Sequence, residues 1–258
     1  MNIDIFQKIE SSSKPDFSDI LTKSFDLFKK VWESALYHAL ILMAIVIPFI
    51  MVVYAPLIIL LNDQSRYSSY GYYDTFEPSA ILIIIYSLVV FAMVLVVQAI
   101  SLGIIAHFFR ALKKTDLNSD EDIGGYFIYL KGENLSKLFL ISIATFLISI
   151  AAILLCYLPI FYVMVPLQII QVMFAFNEKL SVSDLIKASF KLGHKYWLTA
   201  FGLIIISSFI AQLGILLCVV GIFVTAFFVH LPMYYFYKDT IGFDEESEVT
   251  DAQEWSSN

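Results

Sequence analysis

The chain has 258 residues, of which 59% are hydrophobic and only 15% charged, with a formal net charge of -7 and a mean hydropathy of +0.80. Water-soluble domains hold about 45–50% apolar and about 25% charged residues, so this excess excludes an ordinary soluble core and points to segments that cross a bilayer. Two cysteines are too few for a disulfide scaffold or a zinc ribbon, and the chain has no P-loop, dinucleotide-binding glycine pattern or nucleophile elbow.

In chain order, residues 1–16 are polar, carry no apolar signal-peptide core, and read as an N-terminal cytoplasmic tail. A transmembrane domain follows over residues 17–240, with apolar segments at about 35–61, 80–109, 138–155, 160–176, 198–217 and 222–237. The first two exceed the roughly 20 residues that a straight crossing needs. Pro48 and Pro56 are the expected kink points of the first, because proline removes a ladder hydrogen bond. Residues 241–258 form an acidic tail without lysine or arginine, expected to be disordered.

Of 16 Lys and Arg residues, Arg66 alone falls between the first two segments. With six crossings, all the others lie on one side. Positive residues stay cytoplasmic, so both termini are expected inside a bacterial inner membrane.

Two internal repeats organise the chain. Residues 183–197, SDLIKASFKLGHKYW, share Ser, Asp, Ser, Phe, Lys and Trp at identical spacing with residues 18–32, SDILTKSFDLFKKVW. A second similarity, at an offset of 62 residues, aligns residues 153–161 with residues 215–223. The expected fold is therefore all-α and polytopic. Six transmembrane helices form three parallel hairpins, each preceded by a cytoplasmic amphipathic helix.

In the lead-in at residues 182–197, Lys187, Lys191 and Lys195 recur at i, i+4 and i+8, apart from the face of Leu185, Ile186 and Phe190. Ser183 followed by Asp184 reads as the N-cap. Trp197 stands where the chain enters the bilayer. Lys29, Lys30 and Trp32 occupy the same place in the first lead-in. Such helices lie at an interface, with their lysines near anionic headgroups. Membrane lipids are the expected partners. A membrane-protein partner or a second copy is a further possibility, and no feature points to nucleic acid.

His38, His107, His194 and His230 all fall at the cytoplasmic ends of segments, the depth at which a membrane-embedded metal site would gather them. They show no close pairing such as HxxxH, and no carboxylate lies within a span to complete a site. The expectation is no metal, no cofactor and no catalytic residue. Gln98, Ser101, Gln168 and Gln171 form a polar seam within the apolar segments, more in keeping with interhelical hydrogen bonds than with a transport path. Cys156 and Cys218 take matching places at outer turns.

Between residues 165 and 239, Pro166, Ser183-Asp184, the run Ala188-Ser189-Phe190-Lys191-Leu192, Trp197 and the glycine-containing turn at 214–221 resemble a group of bacterial inner-membrane proteins. These are the membrane domain attached to some glycerophosphodiester phosphodiesterases and the YciC-like family. The resemblance covers the last two hairpins and, in the first, only the lead-in helix. It implies six membrane helices without assigned chemistry, since the phosphodiesterase domain is missing. The leading expectation is a non-enzymatic scaffold or lipid-associated envelope factor. The alternatives are a membrane-embedded non-haem iron oxygenase of the carotenoid 15,15'-monooxygenase type and a small-molecule permease.

Overall fold

The structure, a computed structural model, describes residues 5–69, 79–155 and 158–243. Among these, all regular structure is helical. The α-helices are α1 (Ile5–Ser11), α2 (Phe17–Ser69), α3 (Ala80–Asp116), α4 (Gly132–Leu154), α5 (Leu158–Phe176), α6 (Val182–Lys195), α7 (Trp197–Leu213), α8 (Cys218–Thr225) and α9 (His230–Thr240). Among the described residues five stretches are long and apolar enough to cross a membrane: Phe17–Pro56, Ala80–Asp116, Gly132–Leu154, Leu158–Phe176 and Trp197–Leu216.

The sixth apolar segment is not one helix. α8 stops at Thr225, a 3-10 turn runs Ala226–Val229, and α9 follows. Tertiary contacts set the break. The Thr225 hydroxyl donates to the Ala211 carbonyl of α7 at 2.6 Å. Phe228 packs against Phe25 and Phe28 of α2, while Phe227 packs against Phe108 of α3. Adjacent aromatic rings serving two separate sites replace the single apolar face of a spanning helix. α9 is then buried from His230 through Tyr237. Gly214 opens a separate 3-10 turn, Gly214–Leu217, between α7 and α8: a Cβ there would stand 2.6 Å from the Gly221 carbonyl oxygen, so only glycine fits.

The lead-in repeats are both helical but end differently. α2 is capped by Asp16, whose carboxylate accepts the Asp19 amide at 2.8 Å, and runs through Trp32, Pro48 and Pro56 without interruption. α6 and α7 are instead parted at Tyr196, with φ -125° and ψ 34°. The Tyr196 hydroxyl donates to the Ser12 carbonyl at 2.6 Å. Its counterpart Val31 has no such group and stays helical and buried. The cap of α6 is Ser181, not Ser183. Its hydroxyl accepts the Asp184 amide at 3.1 Å and donates to the Asp184 carboxylate at 2.7 Å, a reciprocal arrangement that the earlier start makes possible. No amphipathic helix precedes α4: residues 117–131 form a loop closed by the 3-10 turn Ile128–Leu130.

The N-terminal segment is likewise not a free tail. α1 docks on α6 with Ile5 and Ile9 buried. α5 is the centre of the assembly, buried from Ile169 to Ala175 apart from Gln171. α6 crosses it where Gly193 meets Pro166, with an added Cβ only 3.3 Å from the proline ring.

Charged contacts collect at one end. There the start of α2 meets the end of α9 (Lys23–Asp239), and the end of α3 meets both α9 and the chain after α5. Both ends of the described chain therefore lie together. The opposite halves of α2 and α3 show apolar side chains outward, among them Met51, Val52, Ile81, Ile84 and Leu88. At 1.5 Å per residue α3 is about 55 Å long, well beyond the roughly 30 Å of a bilayer core. The expectations for the Cys156–Cys218 pair, the centre of the first outer loop and the acidic tail beyond Phe243 fall outside the described residues and side chains.

Candidate functional site at the charged end

Three polar clusters lie at this end. The first contains two of the four histidines. His38 of α2 and His107 of α3 meet with Nε2 and Nδ1 2.9 Å apart. The outer nitrogen of each ring faces a backbone carbonyl: Nδ1 of His38 is 2.6 Å from Ser34 O, and Nε2 of His107 is 3.2 Å from Gly124 O. Gly124 presents that carbonyl from a left-handed conformation, φ 70°, natural only to glycine. The Tyr126 ring lies against both imidazoles, at 4.9 and 5.0 Å.

His230 lies close by but does not join them. It packs on Phe108, Phe109 and Phe227, and its Nδ1 is buried without a hydrogen-bond partner. His194 is exposed elsewhere, 3.1 Å from the Tyr162 hydroxyl. The four imidazoles thus do not converge, and among the described residues no group of three or more His, Cys, Asp or Glu could hold a metal ion.

The second cluster is built on Glu178, just after α5. Its carboxylate accepts from Arg110 at 2.7 Å, Tyr129 at 3.1 Å and Asn134 at 3.0 Å, while its carbonyl accepts from Lys137. Arg110 also pairs with Glu121 at 2.9 Å. Burial pushes the Tyr129 hydroxyl well above the usual phenol range, so it remains a donor. One carboxylate thereby ties α3, the 117–131 loop, α4 and the end of α5. The third cluster is Asp116, which accepts from Tyr234 at 2.9 Å, Tyr235 at 2.7 Å and Lys238 at 2.9 Å and so anchors α9 to α3. Beside these clusters opens a pocket of about 200 Å³, bordered by Lys8, Arg110, Lys113, Glu121, Asn177 and Phe243.

The lysines of α6 divide. Lys191 pairs with Glu10, whose carboxyl is held below the usual range by that ammonium. Lys195 donates to the carbonyls of Ile9, Glu10 and Ser12 at 2.7, 2.8 and 2.9 Å, capping the C-terminus of α1. These two therefore hold the N-terminal helix rather than standing open for headgroups. Lys187 is exposed, as are Lys29, which pairs with Asp26 at 2.8 Å, and Lys30. Trp32 is half-exposed. Trp197 donates to the Tyr162 carbonyl at 3.2 Å and stacks on Phe201.

The polar seam is partly joined. Gln98 of α3 donates to the Thr145 hydroxyl of α4 at 2.8 Å, an interhelical bond. Gln171 has its carbonyl oxygen buried without a partner. Ser101 and Gln168 are half-buried on α3 and α5.

Sequence reasoning missed Arg110, Asp116, Tyr129 and Glu178. A faint signal existed for Arg110 and Glu178, charges that follow long apolar runs and need partners at the rim of the assembly; Asp116 and Tyr129 carried none. No known protein family, curated protein or solved structure matches the chain.

Proposed function

We propose that this chain is a non-enzymatic, multi-pass protein of a bacterial inner membrane that serves as a scaffold or lipid-associated envelope factor. α8, the turn at Ala226–Val229 and α9 together make a sixth passage, and both termini are cytoplasmic. The observation that carries this reading is the division of the surface. Lysines and ion-pair clusters gather at one end with both chain ends, while outward apolar side chains cover the far halves of α2 and α3. Cationic side chains belong on the cytoplasmic side, and an apolar exterior belongs in lipid. The resemblance of residues 165–239 to the membrane domain of some glycerophosphodiester phosphodiesterases and to YciC-like proteins supports the membrane placement and brings no chemistry with it.

Topology is the first check. Reporter fusions after Lys114, Lys179 and Lys238 should score cytoplasmic, and a fusion within residues 67–74 should score external. An external score at Lys179 would overturn the passage count. Lipid association is checked separately by native mass spectrometry of the detergent-extracted protein. Lys29, Lys30 and Lys187 are exposed lysines of the two lead-in helices and, unlike Lys191 and Lys195, do not hold α1. Each contributes about 1 kcal/mol of attraction to an anionic surface. Changing all three to Gln should reduce retained phosphatidylglycerol or cardiolipin at least several-fold, with the fold intact. Equal retention would remove the lipid-associated reading and leave the scaffold.

A further inference from the structure

The pocket at the charged end has a sign. Lys8 of α1 and Arg110 and Lys113 of α3 border it, against one carboxylate, Glu121. Arg110 is already matched by Glu121 at 2.9 Å and Glu178 at 2.7 Å. The balance of the walls is therefore set by Lys8 and Lys113, and it is positive. Lys8 is brought there by the docking of α1, with Ile5 and Ile9 buried and Lys195 on its last carbonyls. Lys113 stands on the last turn of α3. The remaining wall is largely aromatic, from Phe176, Tyr237 and Phe243.

The chain leaves the fold at this pocket. α9 ends in a left-handed glycine, Gly242, with φ 72°. The amides of Ile241 and Gly242 both donate to the Tyr237 carbonyl, at 2.9 and 3.3 Å. That turn delivers Phe243 onto Phe176, with ring centres 4.8 Å apart, and Phe243 is buried. The Lys113 ammonium stands over the same ring, 5.0 Å from its centre. Phe243 thus fixes the starting point of the chain that follows. Residues 244–254, DEESEVTDAQE, hold six acidic residues and no lysine or arginine. At no more than about 3.6 Å per residue, Asp244, Glu245 and Glu246 all fall within about 11 Å of Phe243.

We propose that the acidic segment 244–254 is the occupant of this pocket, with its carboxylates on Lys8 and Lys113. The contact ties α1, α3 and the chain after α9 together at the cytoplasmic end. Charge complementarity and the point of exit favour this segment over an anion from outside. A short tether gives the segment an effective concentration on the order of millimolar, which a free ligand has to exceed. The seated segment closes the pocket to phosphate groups. Ion pairs at an open pocket are weak and screened, so salt releases it.

Carbodiimide coupling reads the contact, because it joins an ammonium to a carboxylate only where the two touch. The full chain in phosphatidylcholine nanodiscs should give links from residues 244–254 concentrated on Lys8 and Lys113, mapped by mass spectrometry. Lys14, Lys29, Lys131 and Lys187 should give few. Raising salt from about 0.1 M to about 1 M cuts the Debye length from about 10 Å to about 3 Å and should remove most of the links. A glutamate-specific protease supplies the second readout. Lys8→Gln combined with Lys113→Gln should speed cleavage after Glu245 and Glu246 about threefold to tenfold, the range for two exposed ion pairs. Lys14→Gln combined with Lys29→Gln should leave the rate unchanged. Links spread evenly over all the lysines, or a cleavage rate indifferent to Lys8 and Lys113, would overturn the proposal. Loss of the links in phosphatidylglycerol nanodiscs would also overturn it and give the pocket to a lipid headgroup. Their loss on adding inorganic phosphate at constant ionic strength would give it to a soluble phosphate instead.

Discussion

Glu178→Ala is expected to lower stability by about 2–4 kcal/mol, the range for removing one member of a buried charge network, reduced because these side chains are partly exposed. Glu178 and Arg110 retain 29% and 31% of their side-chain exposure, so water recovers part of the loss. The alanine variant removes the acceptor of three donors at once, from Arg110, Tyr129 and Asn134. Glu178→Gln should be milder, since its amide still accepts one or two of those bonds but no longer balances the guanidinium. Thermal unfolding in detergent should show a midpoint lower by on the order of 10 °C for the alanine variant. A midpoint within about 1 °C of wild type would mean that the cluster is a solvated surface arrangement.

Asp116→Ala should have the second largest effect and a different signature. Asp116 is more enclosed than Glu178, with 15% of its side chain exposed. It is the acceptor for Tyr234, Tyr235 and Lys238, all on α9. Losing it costs about 2–3 kcal/mol, concentrated on the attachment of one helix. Limited proteolysis should cut within or after α9 first, leaving the product through α7 intact. The neighbouring Asp239 already faces Lys23 at 3.9 Å, so it is not a free substitute partner for Lys238. An unchanged cleavage pattern would show that aromatic packing alone, such as Phe236 and Tyr234 in the core, holds α9 in place.

The sequence by itself determined the class and most of the helices. Long apolar runs have one outcome where backbone groups must be satisfied internally, so five of the six expected segments correspond to helices long and apolar enough to span. The lead-in at residues 182–197 was legible as a helix too: of the face read from its spacing, Leu185, Ser189 and Leu192 are buried, while Ile186 and Phe190 are half-buried.

Only the tertiary structure decided how those helices end and what their polar residues do. The break at Tyr196 comes from a hydroxyl reaching Ser12, 184 residues earlier in the chain. The break after Thr225 comes from Phe227 and Phe228 finding rings on α2 and α3. Lys191 and Lys195 looked free for headgroups, because local spacing cannot reveal that α1 folds back onto them. His38 and His107 stand 69 positions apart, and no spacing rule relates them. Their pairing exists because α2 and α3 pack side by side at that depth. Local periodicity is encoded within a few turns of chain, whereas partner choice between distant polar groups is set by packing that brings them within about 3 Å.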